Sequence, residues 1–245
     1  MNTAPIYEVF SSVQGEATRV GERHLFVRLA GCDLECAFCD TPASRRIPVQ
    51  ASLLLPDGAE EVPNPLARAT LFRWVARLDE AAGPHHAVAI TGGEPLLHVE
   101  FLRPLAESWR ACGLPVLLET GGHRPAELEC MLDVVDVVMT DIKIASAAGF
   151  ATEFEDASRS LRLAAKKECA VKVVVSARTT TGEIGCVAEL VAHEARDAPL
   201  ILQPVTGARF EPPSGDHLLA LQRAAMAIHR PTRVIPQAHC ALHVR

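Results

Sequence analysis

The feature that most constrains this chain is a regular alternation of short apolar segments with amphipathic segments of helical length. The apolar segments are rich in β-branched residues, which is typical of parallel strands buried on both faces. The predicted strands are 24–30, 86–91, 115–119, 134–141, 171–176 and 199–204, with a weaker seventh at 233–236. The helical patterns lie at 67–82, 99–112, 125–132, 156–168, 183–196 and 216–230. This alternation predicts right-handed β-α-β units and a parallel sheet.

About six such units fit into the chain, fewer than the eight that close a full barrel. The expected fold class is therefore α/β, as an open partial barrel or a doubly wound sheet. Two segments interrupt the alternation: residues 42–65, which carry five of the 17 prolines and are predicted to be a loop or insertion, and a second loop at 204–215. Apolar periodicity resumes directly after each, so we expect a single domain over residues 1–245.

Composition excludes several classes of protein. The chain has 24 Lys and Arg against 30 Asp and Glu, a formal net charge of −6. Proteins that bind nucleic acid non-specifically need clustered basic residues, which this chain lacks. It also has no apolar run long enough to span a bilayer and no signal-peptide pattern at its start. We therefore expect a cytoplasmic protein without nucleic-acid or membrane partners.

Three of the eight cysteines are clustered directly after the first predicted strand. Cys32, Cys36 and Cys39 have the spacing Cys-x3-Cys-x2-Cys, which lets one short loop turn three thiolates toward a common point. Such a set could hold three irons of a 4Fe–4S cluster and leave the fourth iron open for another ligand. The alternative is a zinc-stabilised binding module with His24 or a distant histidine as fourth ligand, although zinc motifs usually pair two such knuckles. The five isolated cysteines are predicted to be small buried residues.

With Phe38 before the third cysteine, the cluster resembles the signature of the radical S-adenosylmethionine (SAM) enzymes. The segment Ile-Thr-Gly-Gly-Glu-Pro at 90–95 resembles that superfamily's Gly-Gly-Glu motif after the second strand. The resemblance implies a partial (β/α)6 barrel and a 4Fe–4S cluster whose open iron binds SAM. In that superfamily an electron from the cluster splits SAM and yields a 5′-deoxyadenosyl radical. An electron donor such as flavodoxin or ferredoxin is then an expected partner, and a homodimer is the candidate assembly.

Residues 7–41 are similar along their whole length to the family of 7-carboxy-7-deazaguanine synthases. The shared pattern comprises Phe10, Ser12, Gln14-Gly15-Glu16, Arg28 and Cys39-Asp40-Thr41. This resemblance implies a lyase that converts 6-carboxy-5,6,7,8-tetrahydropterin to 7-carboxy-7-deazaguanine with loss of ammonia. Such a reaction belongs to the biosynthesis of queuosine and related 7-deazapurines.

The family's functional residues can be carried over position by position. They imply a cluster on Cys32, Cys36 and Cys39, Mg2+ at Thr41, SAM against Phe38, Asp40, Gly93, Glu94, Asp141, Ile142, Lys143 and Gln203, and substrate against Val13, Gln14, Gly15, Arg28, Thr91 and Glu119. Two of these residues have a structural alternative. Arg28 lies in an apolar strand and needs an anionic partner, which is either the substrate carboxylate or a structural carboxylate. Thr41 is also a suitable helix N-cap.

The chain departs from the family pattern at four places: Ala17, Gly121-Gly122, Asp141-Ile142 and the tail from His239. The family usually has glycine at the first of these and Asn-Gly at the second. Asp-Ile-Lys at 141–143 instead resembles radical activating enzymes, which generate a radical on a protein partner. An activase is therefore the alternative function. The C-terminal residues 205–245 are expected to form an extension over the barrel.

Overall fold

The fold is seen in a computed structural model that describes residues 2–206 and 210–244, so residues 207–209 of the predicted loop at 204–215 lie outside the described part. The strands are β1 Thr3–Ala4, β2 Ile6–Val13, β3 Arg23–Leu29, β4 Gln50–Leu55, β5 Gly58–Pro63, β6 Leu66–Ala67, β7 Ala87–Gly92, β8 Val116–Thr120, β9 Val137–Asp141, β10 Glu168–Val175, β11 Leu200–Pro204 and β12 Thr232–Val234. The α-helices are α1 Arg68–Ala82, α2 Val99–Ala111, α3 Pro125–Met131, α4 Ala145–Ala148, α5 Phe154–Ala164, α6 Thr181–Glu194, α7 Gly215–Met226 and α8 Ala238–Leu242. Among the helices described, none is long and apolar enough to cross a bilayer.

Ten of the strands form one sheet in the order β12-β11-β10-β9-β8-β7-β3-β2-β4-β5. Every neighbouring pair from β3 to β12 is parallel. Each of these strands lies beside the next one in the chain, so their order never reverses as it does in a doubly wound sheet. The prediction of an open partial barrel is therefore confirmed.

The structure corrects the prediction of a loop over residues 42–65. Residues 50–63 form the antiparallel hairpin of β4 and β5, and β4 pairs with β2. The prolines that suggested a loop lie outside the paired interior: Pro48 precedes β4, Pro56 is in the turn and Pro63 ends β5. A proline at such a place breaks no interior hydrogen bond of the sheet. The strand β2, antiparallel to β3, is a further element that the sequence pattern did not reveal.

The principal core lies between the sheet and the helices. It includes Leu25 of β3, Leu71 of α1 and Trp109 of α2, each almost fully buried. A second, smaller cluster is built mainly from strand residues, among them Phe10 and Phe26, whose stacked rings have centroids 5.0 Å apart. Because successive strand residues point to opposite faces, this cluster covers the concave face that the helices leave open.

A hydrogen-bonded chain connects β2 to α1. His85 Nε2 lies 2.7 Å from Ser11 Oγ, and its Nδ1 lies 2.6 Å from Asp79 Oδ1. None of these three residues lines the cavity described below. The chain satisfies polar groups between the sheet and its first helix.

The structure divides the predicted C-terminal extension into parts with different positions. Helix α7 packs against α6, and β12 adds a short parallel strand to the edge of the sheet. Val205 and Thr206, at the start of the extension, line the cavity on the concave face. The residues from Gln237 onward return to that face, where Ala238 N donates to Gly15 O at 2.8 Å. The extension therefore reaches over the barrel at its start and near its end.

Candidate active site

A cavity of about 630 Å3 lies on the concave face of the sheet. Each of the six central parallel strands contributes a polar side chain to its wall: Arg28, Thr91, Glu119, Asp141, Lys172 and Gln203. Parallel strands point their carboxyl ends at one face, so residues far apart in sequence meet there. Of the residues predicted for the site, only Ile142 does not line the cavity. The side chain of Ile142 is buried in the principal core, and the predicted contact of the 141–143 stretch with SAM stays a prediction.

One end of the cavity is formed by the loop after β3, and we call Cys32, Cys36 and Cys39 the cluster end. The loop begins at Gly31, whose φ of +94° is a left-handed conformation that favours glycine. Gly31 N donates to Ser44 O at 2.8 Å, and Ala37 N donates to Ala148 O at 3.0 Å. These bonds fix the loop at both sides, and all three cysteines line the cavity.

The thiols of the cluster end are shielded from solvent. Burial raises the pKa of the Cys32 thiol to about 11. Burial also raises the pKa of Cys36, and the nearby ammonium of Lys143 opposes that shift only in part. Protonated thiols become metal ligands when the metal displaces the proton. Three thiols on one cavity wall suit a 4Fe–4S cluster with one iron left open.

The structure removes His24 from the zinc alternative. His24 Nε2 lies 3.0 Å from Glu22 Oε2, near the start of β3, whereas the cysteines follow its end. At about 3.3 Å per residue, five residues of strand separate His24 from Leu29 by roughly 16 Å. Within residues 2–206 and 210–244, no group of three or more His, Cys, Asp or Glu side chains is arranged to hold a single metal ion.

The isolated cysteines are mostly not the small core residues that were predicted. Only Cys169 is buried, whereas Cys112, Cys130 and Cys186 are exposed. Cys240 is also exposed, and it lines the cavity from α8.

The Gly-Gly-Glu segment after β7 packs directly on the cysteine loop. Glu94 N donates to Gly31 O at 2.9 Å, and a Cβ on Gly93 would lie 1.9 Å from that same oxygen, so only glycine fits there. The buried Glu94 carboxylate accepts hydrogen bonds of 2.8–3.0 Å from Leu96 N, Thr120 Oγ1 and Gly121 N. Glu94 is therefore held in one position beside the cluster end.

The residues after β9 face the cysteine loop across the cavity. Lys143 Nζ lies 2.8 Å from Asp141 Oδ2 and 5.2 Å from the ring centroid of Phe38. The other oxygen of Asp141, Oδ1, is buried and has no hydrogen-bond partner among residues 2–206 and 210–244. A buried acceptor without a partner is costly, and a donor group of a bound ligand would satisfy it. This observation fits SAM, which carries an amino group and ribose hydroxyls.

The opposite end of the cavity, which we call the charged end, comprises Glu16, Glu119, Lys172, Gln203 and Gln237. Lys172 Nζ lies 2.5 Å from Glu16 Oε2, and the amides of Gln203 and Gln237 donate to Glu16 Oε1 at 3.0 and 2.6 Å. Burial alone would raise the pKa of Glu16, but the charge of Lys172 and these hydrogen bonds outweigh it and hold the pKa well below its ordinary value. Gln203, predicted to contact SAM, is thus engaged with Glu16.

Three residues predicted to contact the substrate contact one another at this end. Gln14 Nε2 and Thr91 Oγ1 donate to the two carboxylate oxygens of Glu119, each at 2.8 Å. Burial raises the pKa of Glu119, the negative charge of Glu16 raises it further, and these hydrogen bonds oppose the shift only in part. The pKa of Glu119 is therefore above that of an ordinary glutamate, whereas the pKa of Glu16 is below it.

Arg28 forms an ion pair with a structural carboxylate, which is one of the two alternatives that the sequence allowed. Its Nε lies 2.9 Å from Glu8 Oε1, across the antiparallel pair of β2 and β3. The guanidinium carbon lies 5.5 Å from the ring centroid of Phe10. The Nη atoms of Arg28 make no hydrogen bond to any residue in the described ranges. The side chain lines the cavity, so its two terminal nitrogens are available for a carboxylate.

Thr41 lies on the cavity wall beside the cluster end. Its hydroxyl donates to Asp40 Oδ1 at 3.0 Å, and the other oxygen of Asp40 accepts from Gln237 Nε2 at 2.7 Å. Thr41 precedes a 3-10 helix at Pro42–Arg45, but its side chain makes no capping hydrogen bond. The capping alternative is therefore wrong. Two adjacent side chains with oxygen ligands suit Mg2+, which prefers oxygen.

Sequence reasoning missed Glu8, Lys172 and Gln237 as parts of the site. Lys172 had a usable signal, because it interrupts an apolar strand just as Arg28 does, and a buried lysine requires anionic partners. Glu8 lies on the strand that was not predicted. Gln237 lies in a segment without periodicity, so only the folded chain shows that it reaches the cavity.

A partial parallel barrel with three cysteines after its first strand defines a class of enzyme, the radical SAM enzymes. Residues 27–177 match the sequence profile of the radical SAM superfamily. The chain is 37% identical over 246 residues to a 7-carboxy-7-deazaguanine synthase of Geobacter sulfurreducens, with 96% of each chain covered. It is 32% identical to the enzyme of that name from Methanothermobacter thermautotrophicus, and the match covers 99% of this chain and 98% of the relative. The chain belongs to the 7-carboxy-7-deazaguanine synthase family of this superfamily, as the sequence motifs predicted.

A solved structure supports the same architecture. The crystal structure of QueE from Escherichia coli matches with a TM-score of 0.64 at 23% identity, covering 97% of this chain and 95% of that one. This match confirms the fold. Membership in the radical SAM superfamily implies a 4Fe–4S cluster and SAM as cofactors.

Proposed function

We propose that the protein is a carbon–nitrogen lyase that converts 6-carboxy-5,6,7,8-tetrahydropterin to 7-carboxy-7-deazaguanine with release of ammonia. One observation carries the proposal: a single cavity joins a three-cysteine loop to a set of amide, guanidinium and carboxyl groups. The relatives at 37% and 32% identity are named for this product. The product would enter the synthesis of queuosine or another 7-deazapurine.

The cluster end holds the cofactors in this proposal. A 4Fe–4S cluster bound to Cys32, Cys36 and Cys39 supplies, together with SAM, the radical that takes a hydrogen atom from the substrate. Lys143 provides a cation for the carboxylate of SAM. Glu94 and the unpartnered Oδ1 of Asp141 provide acceptors for its amino group and hydroxyls. Phe38, Asp40 and Gly93 line the same wall.

The charged end recognises the substrate. The pterin is a planar, amide-rich ring system with one carboxylate, so it needs paired donors and acceptors and a cation. Gln14 offers an amide with both functions, and Arg28 offers two free Nη groups to the carboxylate. Val13, Gly15, Thr91 and Glu119 complete the wall. Loss of ammonia requires a proton on the departing nitrogen, and Glu119, whose pKa is raised, is the carboxyl at this end best suited to hold one.

Mg2+ is the third cofactor that we propose, bound near Thr41. The Thr41 hydroxyl and the Asp40 carboxylate are adjacent oxygen donors on the cavity wall. Mg2+ binds few protein oxygens and keeps several waters or substrate oxygens in its shell. Its role here is to orient the substrate between the two ends of the cavity.

The covered cavity favours a small substrate over the protein partner of an activase. Gln237 bridges Glu16 and Asp40, and His239, Cys240 and Val244 line the same opening. The backbone of a folded partner could reach the cysteines only after displacing this segment. An electron donor such as flavodoxin or ferredoxin, in the reducing cytoplasm, completes the proposal.

Anaerobic reconstitution tests the proposed function. Purified protein with iron and sulfide restored would be given SAM, dithionite, Mg2+ and 6-carboxytetrahydropterin, and the products would be separated by mass spectrometry. We expect 7-carboxy-7-deazaguanine from the parent protein and none from Cys36→Ala. Cleavage of SAM without any deazaguanine would contradict the proposal and favour the activase.

A further inference from the structure

The cysteine loop is held by a second loop through a residue that lies between two of the cysteines. His123 Nε2 lies 3.0 Å from Asp33 Oδ1, and Arg124 Nε and Nη2 lie 3.1 and 2.9 Å from Asp33 Oδ2. His123 and Arg124 follow β8 and directly precede α3. We call Asp33, His123 and Arg124 the Asp33 contact.

The Asp33 contact differs from an ordinary surface ion pair in the number of its hydrogen bonds. Three nitrogens converge on one carboxylate, whose side chain is 36% exposed, while the side chains of His123 and Arg124 are 15% and 24% exposed. Arg124 is itself fixed by Glu127 of α3, whose Oε1 lies 2.7 Å from its Nη1. The contact therefore ties the cysteine loop to the start of a helix.

The imidazole of His123 also faces the Gly-Gly-Glu segment. Its Nδ1 is buried, has no hydrogen-bond partner in the described part of the chain and lies 4.0 Å from Glu94 Oε2. The ring thus stands between Asp33 of the cysteine loop and the carboxylate that we assign to SAM. A Cβ on Gly121 would lie 2.8 Å from His123 Nδ1, so the ring fits because residue 121 is glycine. This glycine is one of the places at which the chain departs from its family pattern.

We infer that His123 and Arg124 are positioning residues for the iron–sulfur cluster. Through Asp33 they hold Cys32 and its loop in the conformation that receives iron, and His123 keeps that loop in register with Glu94. A loop that is already ordered loses less conformational entropy when it binds metal. Partners that contact a metal ligand directly typically change metal affinity about 10–100-fold when they are removed, and the Asp33 contact acts on the residue next to the ligand Cys32.

The test measures how fast the reconstituted protein loses iron to a chelator under anaerobic conditions. We expect His123→Ala and Asp33→Asn to lose iron about 10–100-fold faster than the parent. His123→Gln keeps a side-chain donor of similar reach and should recover part of the retention. Arg103→Gln is the matched control, because it removes another guanidinium–carboxylate pair, that of Arg103 with Asp133 on the surface. Its rate of iron loss should equal that of the parent.

A second variant protects the inference against a simple loss of stability. Gly121→Ala keeps Asp33, His123 and Arg124 in the chain, but its Cβ would lie 2.8 Å from His123 Nδ1 and 3.2 Å from Glu94 Oε2, so it should shift the imidazole and also speed iron loss. The thermal unfolding midpoint of each apoprotein would be measured in parallel. If iron retention is unchanged in His123→Ala and Gly121→Ala, or falls only in proportion to apoprotein stability as in Arg103→Gln, the inference is wrong. Faster iron loss from Asp33→Asn alone would also overturn it, since Asp33 would then act without the two basic residues.

Discussion

The two ends of the cavity are built in different ways. The cluster end comes from one short loop, and its position depends on backbone hydrogen bonds and on Gly31 and Gly93. The charged end combines side chains from five separate segments of the chain: Glu16, Glu119, Lys172, Gln203 and Gln237. The chemistry shared by a superfamily is thus contained in a local motif, whereas the part that selects the substrate exists only in the folded chain.

The two ends also differ in what a substitution should cost. Burial raises the pKa of the Cys32 and Cys36 thiols, so replacing one of these two side chains leaves no buried charge behind. The charged end holds Lys172 between Glu16 Oε2 at 2.5 Å and Asp141 Oδ2 at 3.4 Å. Removing one partner there leaves a buried ion without compensation, which is strongly destabilising. A substitution at the cluster end should therefore abolish function with little loss of stability. A substitution at the charged end should lower both function and stability.

The largest effect should come from the cluster end. Cys36→Ala should abolish the cluster and all SAM cleavage, because no other residue of the loop supplies the third thiolate. Iron content, visible absorbance and 5′-deoxyadenosine formation measure this. The apoprotein should unfold at close to the parent temperature. Cys112→Ala, at an exposed cysteine away from the cavity, is the control and should keep full iron content. A Cys36→Ala protein with a full, active cluster would refute the ligand assignment.

A loss of stability should follow at the charged end. Lys172→Met should lower the free energy of unfolding at neutral pH by about 3–5 kcal/mol, because Glu16 loses its cation. Adding Glu16→Gln to the Lys172→Met variant should restore part of the lost free energy of unfolding. Urea unfolding of the single and double variants checks this. If the double variant is only as stable as the sum of the single effects predicts, or less stable, Lys172 and Glu16 do not form a coupled pair.

The same pair predicts a dependence on pH. The folded pKa of Glu16 lies below its ordinary value of 4.5, so its contribution is complete above that value and is lost as the pH falls through the folded pKa. The parent should therefore lose unfolding free energy steeply below pH 4.5. In Lys172→Met the slope should be shallower, because the pKa of Glu16 is no longer lowered by the ammonium. Equal slopes in the two proteins would show that Lys172 does not set the pKa of Glu16.

A smaller effect is expected where the C-terminal segment joins the two ends. Gln237→Leu removes the amide that binds Glu16 and Asp40, and hydrogen bonds to charged groups are worth about 1.5–3 kcal/mol. Without these bonds the substrate must order the C-terminal segment when it binds, so part of that free energy should appear as a rise in the KM for the pterin, of up to about 10–100-fold. Iron content should not change. Gln222→Leu, whose amide binds Thr232 O outside the cavity, is the control. An unchanged KM in Gln237→Leu would mean that this segment does not shape the substrate site.

The smallest effect concerns the backbone between the two ends. Ala17 has a φ of +51°, a left-handed conformation that costs a residue with a Cβ about 1–2 kcal/mol. Ala17→Gly relieves this strain but gives up a buried methyl group worth about 0.8 kcal/mol. The net result should be a gain of up to about 1 kcal/mol in unfolding free energy, read from urea unfolding. Ala89→Gly, at a buried strand residue without left-handed backbone, should be destabilising. A loss of stability in Ala17→Gly as well would show that position 17 is not strained.

The sequence predicted the fold and the cluster end well because both depend on local patterns. Strand periodicity gives the parallel units, and the spacing of Cys32, Cys36 and Cys39 gives the metal loop. The sequence predicted the charged side chains of the cavity poorly, because the partner of a buried charge does not lie near that charge in the sequence. Arg28 indicated that an anion must lie nearby, but only the folded chain identifies this anion as Glu8. The hairpin at 50–63 was missed because prolines at its turn and ends resemble those of a loop.

The central claim is that one cavity holds the cluster and the pterin together, so that a hydrogen atom passes from the substrate to the nucleoside of SAM. The most direct measurement uses 6-carboxytetrahydropterin with deuterium on the carbons of its reduced ring, given with SAM and dithionite to the reconstituted protein. We expect 7-carboxy-7-deazaguanine as product and deuterium in 5′-deoxyadenosine or in SAM. If 5′-deoxyadenosine forms without deuterium and no deazaguanine is produced, the charged end of this cavity is not a pterin site.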